Sequence, residues 1–168
     1  MSETEAGLYF AWGETEGYKD ANDRNTKLGR TDGFSQDAYN TGNASSISAN
    51  LTSSNDAATK YYGGNWRMPT KDEFEELYYN TYHEWTTINS VAGRKFINNT
   101  DSSKYIFMPA VGVYNGTTLD SSGTYGTFLS STYRSSSSAY SLYFYSSNVG
   151  TNDSGRYYGR SIRPIQDN

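Results

Sequence analysis

Pro69-Thr70-Lys71-Asp72-Glu73-Phe74-Glu75-Glu76-Leu77-Tyr78 contains both a helix start and the beginning of a helical stripe. Thr70 followed by Glu73 is a capping box: the threonine hydroxyl accepts from the third helical amide, and the glutamate carboxylate reaches back to the threonine amide. Phe74, Leu77, Tyr78 and Tyr82 then recur at i, i+3, i+4 and i+8, which predicts one apolar stripe on a helix from about 70 to 82. Asp72, Glu73, Glu75 and Glu76 crowd the N-terminal turns, where the helix dipole favours negative charge. They read as a solvated helix face rather than an acid/base pair.

Upstream, Ser54-Asn55-Asp56 before Ala57-Ala58-Thr59-Lys60-Tyr61-Tyr62 and a Gly63-Gly64 stop predicts a short helix at about 54–62. Leu8, Phe10 and Trp12 alternate between Gly7 and Gly13 and read as a strand. From Glu14 to Ser53 the chain is rich in Asn, Asp, Gly, Ser and Thr, and reads as about forty residues of loop. Downstream of Trp85 come short strand candidates at 94–97, 105–108, 111–114, 127–131, 139–146 and 156–163. Two helices followed by a run of strands predict an α+β fold on a largely antiparallel sheet. The 168 residues are most simply one domain, 1–168. Phe74, Leu77, Trp66, Phe107, Leu142 and Phe144 are its expected core.

Composition narrows the chemistry. The chain has no cysteine and one histidine, His83, which removes thiol nucleophiles, disulfides and ordinary zinc sites. No Gly-x-Ser-x-Gly turn accompanies His83, so a serine-hydrolase triad is not supported, and no phosphate-cradling glycine loop opens a helix. Asp20-Ala21-Asn22-Asp23-Arg24-Asn25 carries oxygen ligands but has Asn where a calcium loop needs Gly. It is not an EF-hand, which leaves only an irregular calcium site as an alternative. A net charge of −4 argues against a nucleic-acid partner, and no apolar run is long enough to insert in a membrane. The acidic start, Met1 to Ala6, lacks the basic and apolar regions of a signal peptide.

The composition breaks near residue 109. From 109 to 165 the chain contains no Lys, Glu, Gln, Trp or Met and is filled mainly with Ser, Tyr, Thr, Gly and Asn. Tyrosine supplies stiff amphipathic contact area and small polar residues adapt their hydrogen bonds, as in antibody binding loops. A Ser/Tyr-rich β-region of an exported protein is the plainer alternative. In Ala139 to Ser146, alternation puts Tyr140, Leu142 and Phe144 on one face and Ser141, Tyr143 and Tyr145 on the other.

Several segments together resemble bacterial and phage domains of the C-type lectin fold, in the broad group that includes the formylglycine-generating enzyme fold. They are Gly7 to Glu14, Asp56 to Ala58, Gly64 to Thr70 opening a helix with Glu73 to Leu77, Ile106 to Ala110, Gly123 to Gly126, Ser130 to Thr132, Ala139 to Phe144 and Gly159 to Ile165. The resemblance spans nearly the whole chain except about residues 19–50. It implies two helices packed on a mainly antiparallel twisted sheet, with long irregular loops. The tail most resembles the variable proteins of diversity-generating retroelements of gut bacteria and phages. Those systems mutate adenines, typically in AAY codons, to vary a ligand surface on a fixed scaffold. Codons ending in a pyrimidine cannot encode the five residue types missing from 109–165. Relatives often carry an aromatic-Trp-Ser-Ser segment where this chain has Phe128-Leu129-Ser130-Ser131, so Leu129 is a departure.

The resemblance implies a non-enzymatic receptor or adhesion protein, on a cell surface or phage virion, whose region 109–165 meets a protein or glycan ligand. No cofactor and no metal are implied. The expected contact residues are Tyr125, Thr127, Tyr133, Arg134, Ser141, Tyr143, Tyr145, Thr151, Asn152, Asp153, Tyr157 and Tyr158. Tyrosines supply apolar anchors, and Arg134 and Asp153 supply charge selectivity. The alternative is a surface or phage structural domain of the same fold without diversification. Formylglycine-type chemistry needs the cysteines this chain lacks, and the Glu-Pro-Asn and Trp-Asn-Asp signatures of calcium-dependent lectins are absent.

Overall fold

A computed structural model describes residues 2–167; Met1 and Asn168, the ends of the expected single-domain span, lie outside the described residues. The helices are α1 (Ala21–Leu28), α2 (Gln36–Asn40), α3 (Ala57–Tyr62) and α4 (Lys71–Tyr79). The strands are β1 (Trp66–Arg67), β2 (Thr81–Ile88), β3 (Val91–Asn98), β4 (Tyr105–Pro109), β5 (Val113–Asn115), β6 (Thr118–Asp120), β7 (Gly126–Tyr133), β8 (Ser138–Tyr145), β9 (Asn148–Gly155) and β10 (Ile165–Gln166). They form antiparallel sheets in the orders β1-β10, β2-β3-β4, β5-β6 and β7-β8-β9. The fold is α+β.

The capping box forms as its residues dictate. Glu73 N donates to Thr70 Oγ1 at 3.2 Å, and Thr70 N donates to Glu73 Oε2 at 2.8 Å. Helix α4 nevertheless stops at Tyr79, short of the expected Tyr82, which instead lies on β2 and is 61% exposed. The reason is downstream. Asn89 and Ser90 take positive φ of 49° and 66° between the paired residues Ile88 and Val91, a two-residue turn that folds β2 back on β3. The hairpin claims residues that a helical stripe would have kept.

The expected loop between Glu14 and Ser53 holds α1, α2 and a 3-10 turn at Asn43–Ser46. These helices are too short and polar to show a stripe, and their caps carry them. Asp20 Oδ1 accepts from Asp23 N at 2.7 Å, and Ser35 Oγ accepts from Ala38 N at 2.9 Å. The Asp20–Asn25 stretch is therefore the capped start of α1, with Arg24 fully buried. Helix α3 starts at Ala57, three residues later than expected, and is capped by Asp56, whose side chain accepts from Thr59 N.

Three hydrophobic clusters fill the interior. One gathers Tyr9, Tyr18, Phe34, Tyr39 and Tyr114. The second packs Phe74, Phe96, Met108, Phe128, Leu142 and Phe144, and the third packs Phe10, Trp12, Ala58, Met68, Leu129 and Ala139. The β7-β8-β9 sheet thus has core on both sides. Of the expected core, Phe74, Phe107, Leu142 and Phe144 are buried, whereas Leu77 and Trp66 are only half-buried. The departure Leu129 is a core residue. Residues 8–12 and 156–163 are not strands; they make single bridges, Tyr9 with Tyr18, Phe10 with Arg160 and Ser161 with Phe128. The unforeseen β9 has Val149 as its one apolar side chain and owes its form to an eight-residue register with β8.

Candidate functional site

Period-two alternation, fixed by the β8 register, decides which expected contact residues meet. Tyr143 pairs with Thr127 on one side and Gly150 on the other, and Ser141 pairs with Leu129 and Asn152. These positions therefore share one face of the sheet with Tyr145. The Tyr143 and Tyr145 rings stack at 6.2 Å with an interplanar angle of 29°, and Tyr145 is 39% exposed. Gly150 leaves room for the Tyr143 ring, since a Cβ there would lie 3.2 Å from it. Asn148 Nδ2 donates to Tyr143 Oη at 3.2 Å. Just beyond β9, the half-buried Tyr157 and Tyr158 rings pack at 4.3 Å.

Thr127 and Ser141, expected at the surface, are each 1% exposed, and their hydroxyls have no partner among the described residues. Ser141 lies between Ala139 and Tyr143 on its face, and Ala139 is sealed by Trp12, Phe10 and Leu129. Thr127 lies on β7, the strand that Ser161 joins edge to edge by bridging Phe128. These two side chains are covered, and the expectation of direct contact fails for them.

Thr151 and Asp153 fall on the opposite face, beside Leu142 and Tyr140 respectively. Thr151 Oγ1 donates to Glu75 Oε1 of α4 at 2.8 Å, and Glu75 is paired with Lys71 at 2.7 Å. Both partners hold the Glu75 carboxyl below its ordinary range. Asp153 is exposed. Tyr133 is a strut, 6.1 Å from the Trp12 ring, and its amide is held by Asn50 Oδ1. Arg134 is exposed and Tyr125 half-buried. The structure therefore gathers Tyr143, Tyr145 and Asn152 on one face, with Thr151 and Asp153 on the other.

Sequence reasoning missed the buried arginines that hold this region. Arg156 is 1% exposed and donates to the carbonyls of Ala44 (2.7 Å), Ile47 (3.0 Å), Ser135 (3.2 Å) and Ser136 (3.0 Å), and to Tyr39 Oη (3.0 Å). Its guanidinium lies 4.5 Å from the centre of the Trp12 ring. Arg160 donates to Gly155 O at 3.0 Å and to Ser154 Oγ, beneath the Tyr158 ring. Burial pulls it down to about 10, while the nearby Tyr125, Tyr158 and Tyr157 phenols act in the other direction. Arg94 of β3 donates to Tyr145 O at 2.7 Å and Ser146 O at 3.2 Å, anchoring the β8–β9 turn. Its Nη1 lies 3.0 Å from His83 Nδ1, so that nitrogen is the acceptor and the imidazole is neutral. Burial first, and the Arg94 charge second, keep His83 below its usual pKa. The only advance signal was arginine placed after glycine, Gly155-Arg156 and Gly159-Arg160, in a stretch without lysine.

Among the described residues no three His, Asp or Glu side chains converge on one point, and no helix is long and apolar enough to cross a membrane. The chain matches no protein-family model, no curated protein and no solved structure.

Proposed function

We propose that the chain is a non-enzymatic ligand-binding protein of receptor or adhesion type. On this reading its tyrosine-bearing C-terminal surface, varied by a retroelement on a fixed C-type-lectin-like scaffold, meets a protein or glycan on a cell surface. The protein itself sits on a cell surface or phage virion. One observation carries the reading. Tyr143, Tyr145 and Asn152 remain accessible on strands whose position is set by backbone pairing, and none of the three belongs to the buried clusters that fill the interior. Exposed side chains on such a ladder can change with little loss of stability, usually within about 0.5 kcal/mol. Partly exposed, mutually stacked tyrosines are also the residue type that dominates binding hot spots.

Sequencing the locus from several isolates tests the idea. Substitutions concentrated at Tyr143, Tyr145, Asn152, Tyr157 and Tyr158, with Phe144, Arg156 and Arg160 unchanged, are expected. Substitutions spread evenly over core and surface would remove its support.

A further inference from the structure

A second recessed site lies away from the tyrosine face and shares none of its residues. It is a groove of about 480 Å³ where both ends of the chain meet α3 and β1. Leu8, Phe10, Phe128 and Ile162 are among the apolar residues lining it, and Tyr61, Tyr62 and Trp66 add aromatic rings. Tyr61 and Tyr62 are 46% and 51% exposed, more than folding requires of such large rings. The Tyr62 and Trp66 rings lie 5.7 Å apart at 44°, a corner rather than a flat platform. Tyr61 is fixed in place: its hydroxyl accepts from Gly17 N at 3.2 Å and its ring packs edge-on against Phe10.

Charge of both signs lines the same groove. Arg163 is half-buried and makes no hydrogen bond or ion pair among the described residues, although its neighbourhood includes Glu3 and the Tyr62 phenol. A guanidinium has five donors and needs an acceptor when water is reduced around it. Glu3 and Glu5 supply two carboxylates, so the lining carries one net negative charge. A compact organic cation is attracted by aromatic faces and by carboxylates together. An anion attached to that cation would satisfy Arg163.

We propose that this groove binds a zwitterion of phosphocholine chemistry, with the quaternary ammonium in the Tyr62–Trp66 corner of a groove that the Glu3 and Glu5 carboxylates also line, and the phosphate on Arg163. A neutral sugar ring stacks best on a single flat aromatic face, and a simple anion meets repulsion from Glu3 and Glu5. The zwitterion uses both features of the lining.

Saturation-transfer NMR on the methyl protons of each probe tests this with phosphocholine, choline, the neutral isostere 3,3-dimethylbutanol and methyl glucoside. Phosphocholine should bind most tightly, choline less so, and the isostere at least about ten-fold more weakly than choline. Trp66→Leu should weaken phosphocholine and choline alike. Arg163→Gln should weaken phosphocholine selectively, bringing it to the level of choline. Each variant is compared at an unchanged melting temperature; should Trp66→Leu unfold, Tyr62→Leu takes its place. Equal binding of choline and its isostere, preference for methyl glucoside, or transfer that survives both aromatic variants would overturn the proposal. Flotation with phosphatidylcholine vesicles separates a bilayer source of the headgroup from a soluble one. Flotation lost in Trp66→Leu supports the groove, and flotation retained there while free phosphocholine fails to bind counts against it. Neither result bears on the tyrosine surface, whose test is variation between isolates.

Discussion

Residues 14–53 and the β7-β8-β9 sheet are both rich in Ser, Thr, Asn and Gly but are held in opposite ways. The first region is tied by single side chains. Arg24 pairs with Glu14 through both carboxylate oxygens and donates to Gly33 O at 3.0 Å, and Arg156 reaches in to clasp Ala44, Ile47 and Tyr39. The second is tied mainly by its backbone: β8 pairs with β9 over eight residues, from Ser138–Gly155 to Tyr145–Asn148, and arginines fix only its turns and its end. A chain held by side chains loses its shape when those side chains change. One held by its ladder keeps its shape while outward residues vary, which is what a variable binding surface requires.

The contrast can be broken or sharpened by mutation, and the largest effect belongs to Arg156. Arg156→Met leaves the carbonyls of Ala44, Ile47, Ser135 and Ser136 and the Tyr39 hydroxyl without their donor, and should cost about 4 kcal/mol or more in urea melts. A loss below about 1 kcal/mol would show that the 14–53 region is held by something else. Phe144→Ala, beneath the sheet, should cost about 3–5 kcal/mol through the cavity it leaves. If it is nearly silent, the two sheet faces are assigned the wrong way round. Arg24→Met strands the Glu14 carboxylate, whose side chain is 15% exposed, and should cost about 3 kcal/mol. Hydrogen exchange should then rise across α1 and α2 while β8 and β9 stay protected; uniform exchange would dissolve the distinction between the regions.

A smaller effect is expected from acid. Arg67 first, then burial in opposition and the Thr70 amide, leave the Glu73 carboxyl at about 2, against an ordinary 4.5. Because the folded value is the lower one, the stabilisation is complete above about pH 4.5 and fades as pH falls toward 2. Glu73→Gln should flatten that part of a stability-against-pH curve, and an unchanged slope would mean that the Glu73 carboxylate, paired with Arg67 and capping Thr70, does not contribute it. The smallest effect belongs to the surface itself. Tyr143→Ser with Tyr145→Ser should shift stability by less than about 1.5 kcal/mol, the scale of one aromatic pair, while weakening adhesion to any cell type the wild-type chain binds. Unfolding of this double variant at room temperature would make these rings core and remove the physical basis of a variable surface.

Local signals did their work where one residue decides one backbone bond. Thr70 and Glu73 announced α4, and Leu142 and Phe144 announced the buried face of β8, because capping geometry and period two act within a few residues. The α+β class followed from these. The same local logic placed Tyr143 and Tyr145 together on the other face. It failed at Tyr82, where a hairpin turn at Asn89-Ser90 overrode the helical stripe, and at β9, which has no apolar period and is a strand because β8 lies beside it. It also failed at Thr127 and Ser141, since alternation tells which face a side chain takes but not what covers that face. Phe10 and Trp12, which pack with Leu129 and Ala139 of that face, come from the far end of the chain. Sequence by itself therefore determined the helix cap, the strand faces and the tyrosine-rich character of the C-terminal region. Only the tertiary structure decided which of those residues reach solvent and how Arg94, Arg156 and Arg160 hold them. Burial is a relation between segments far apart in sequence, and no local pattern contains it.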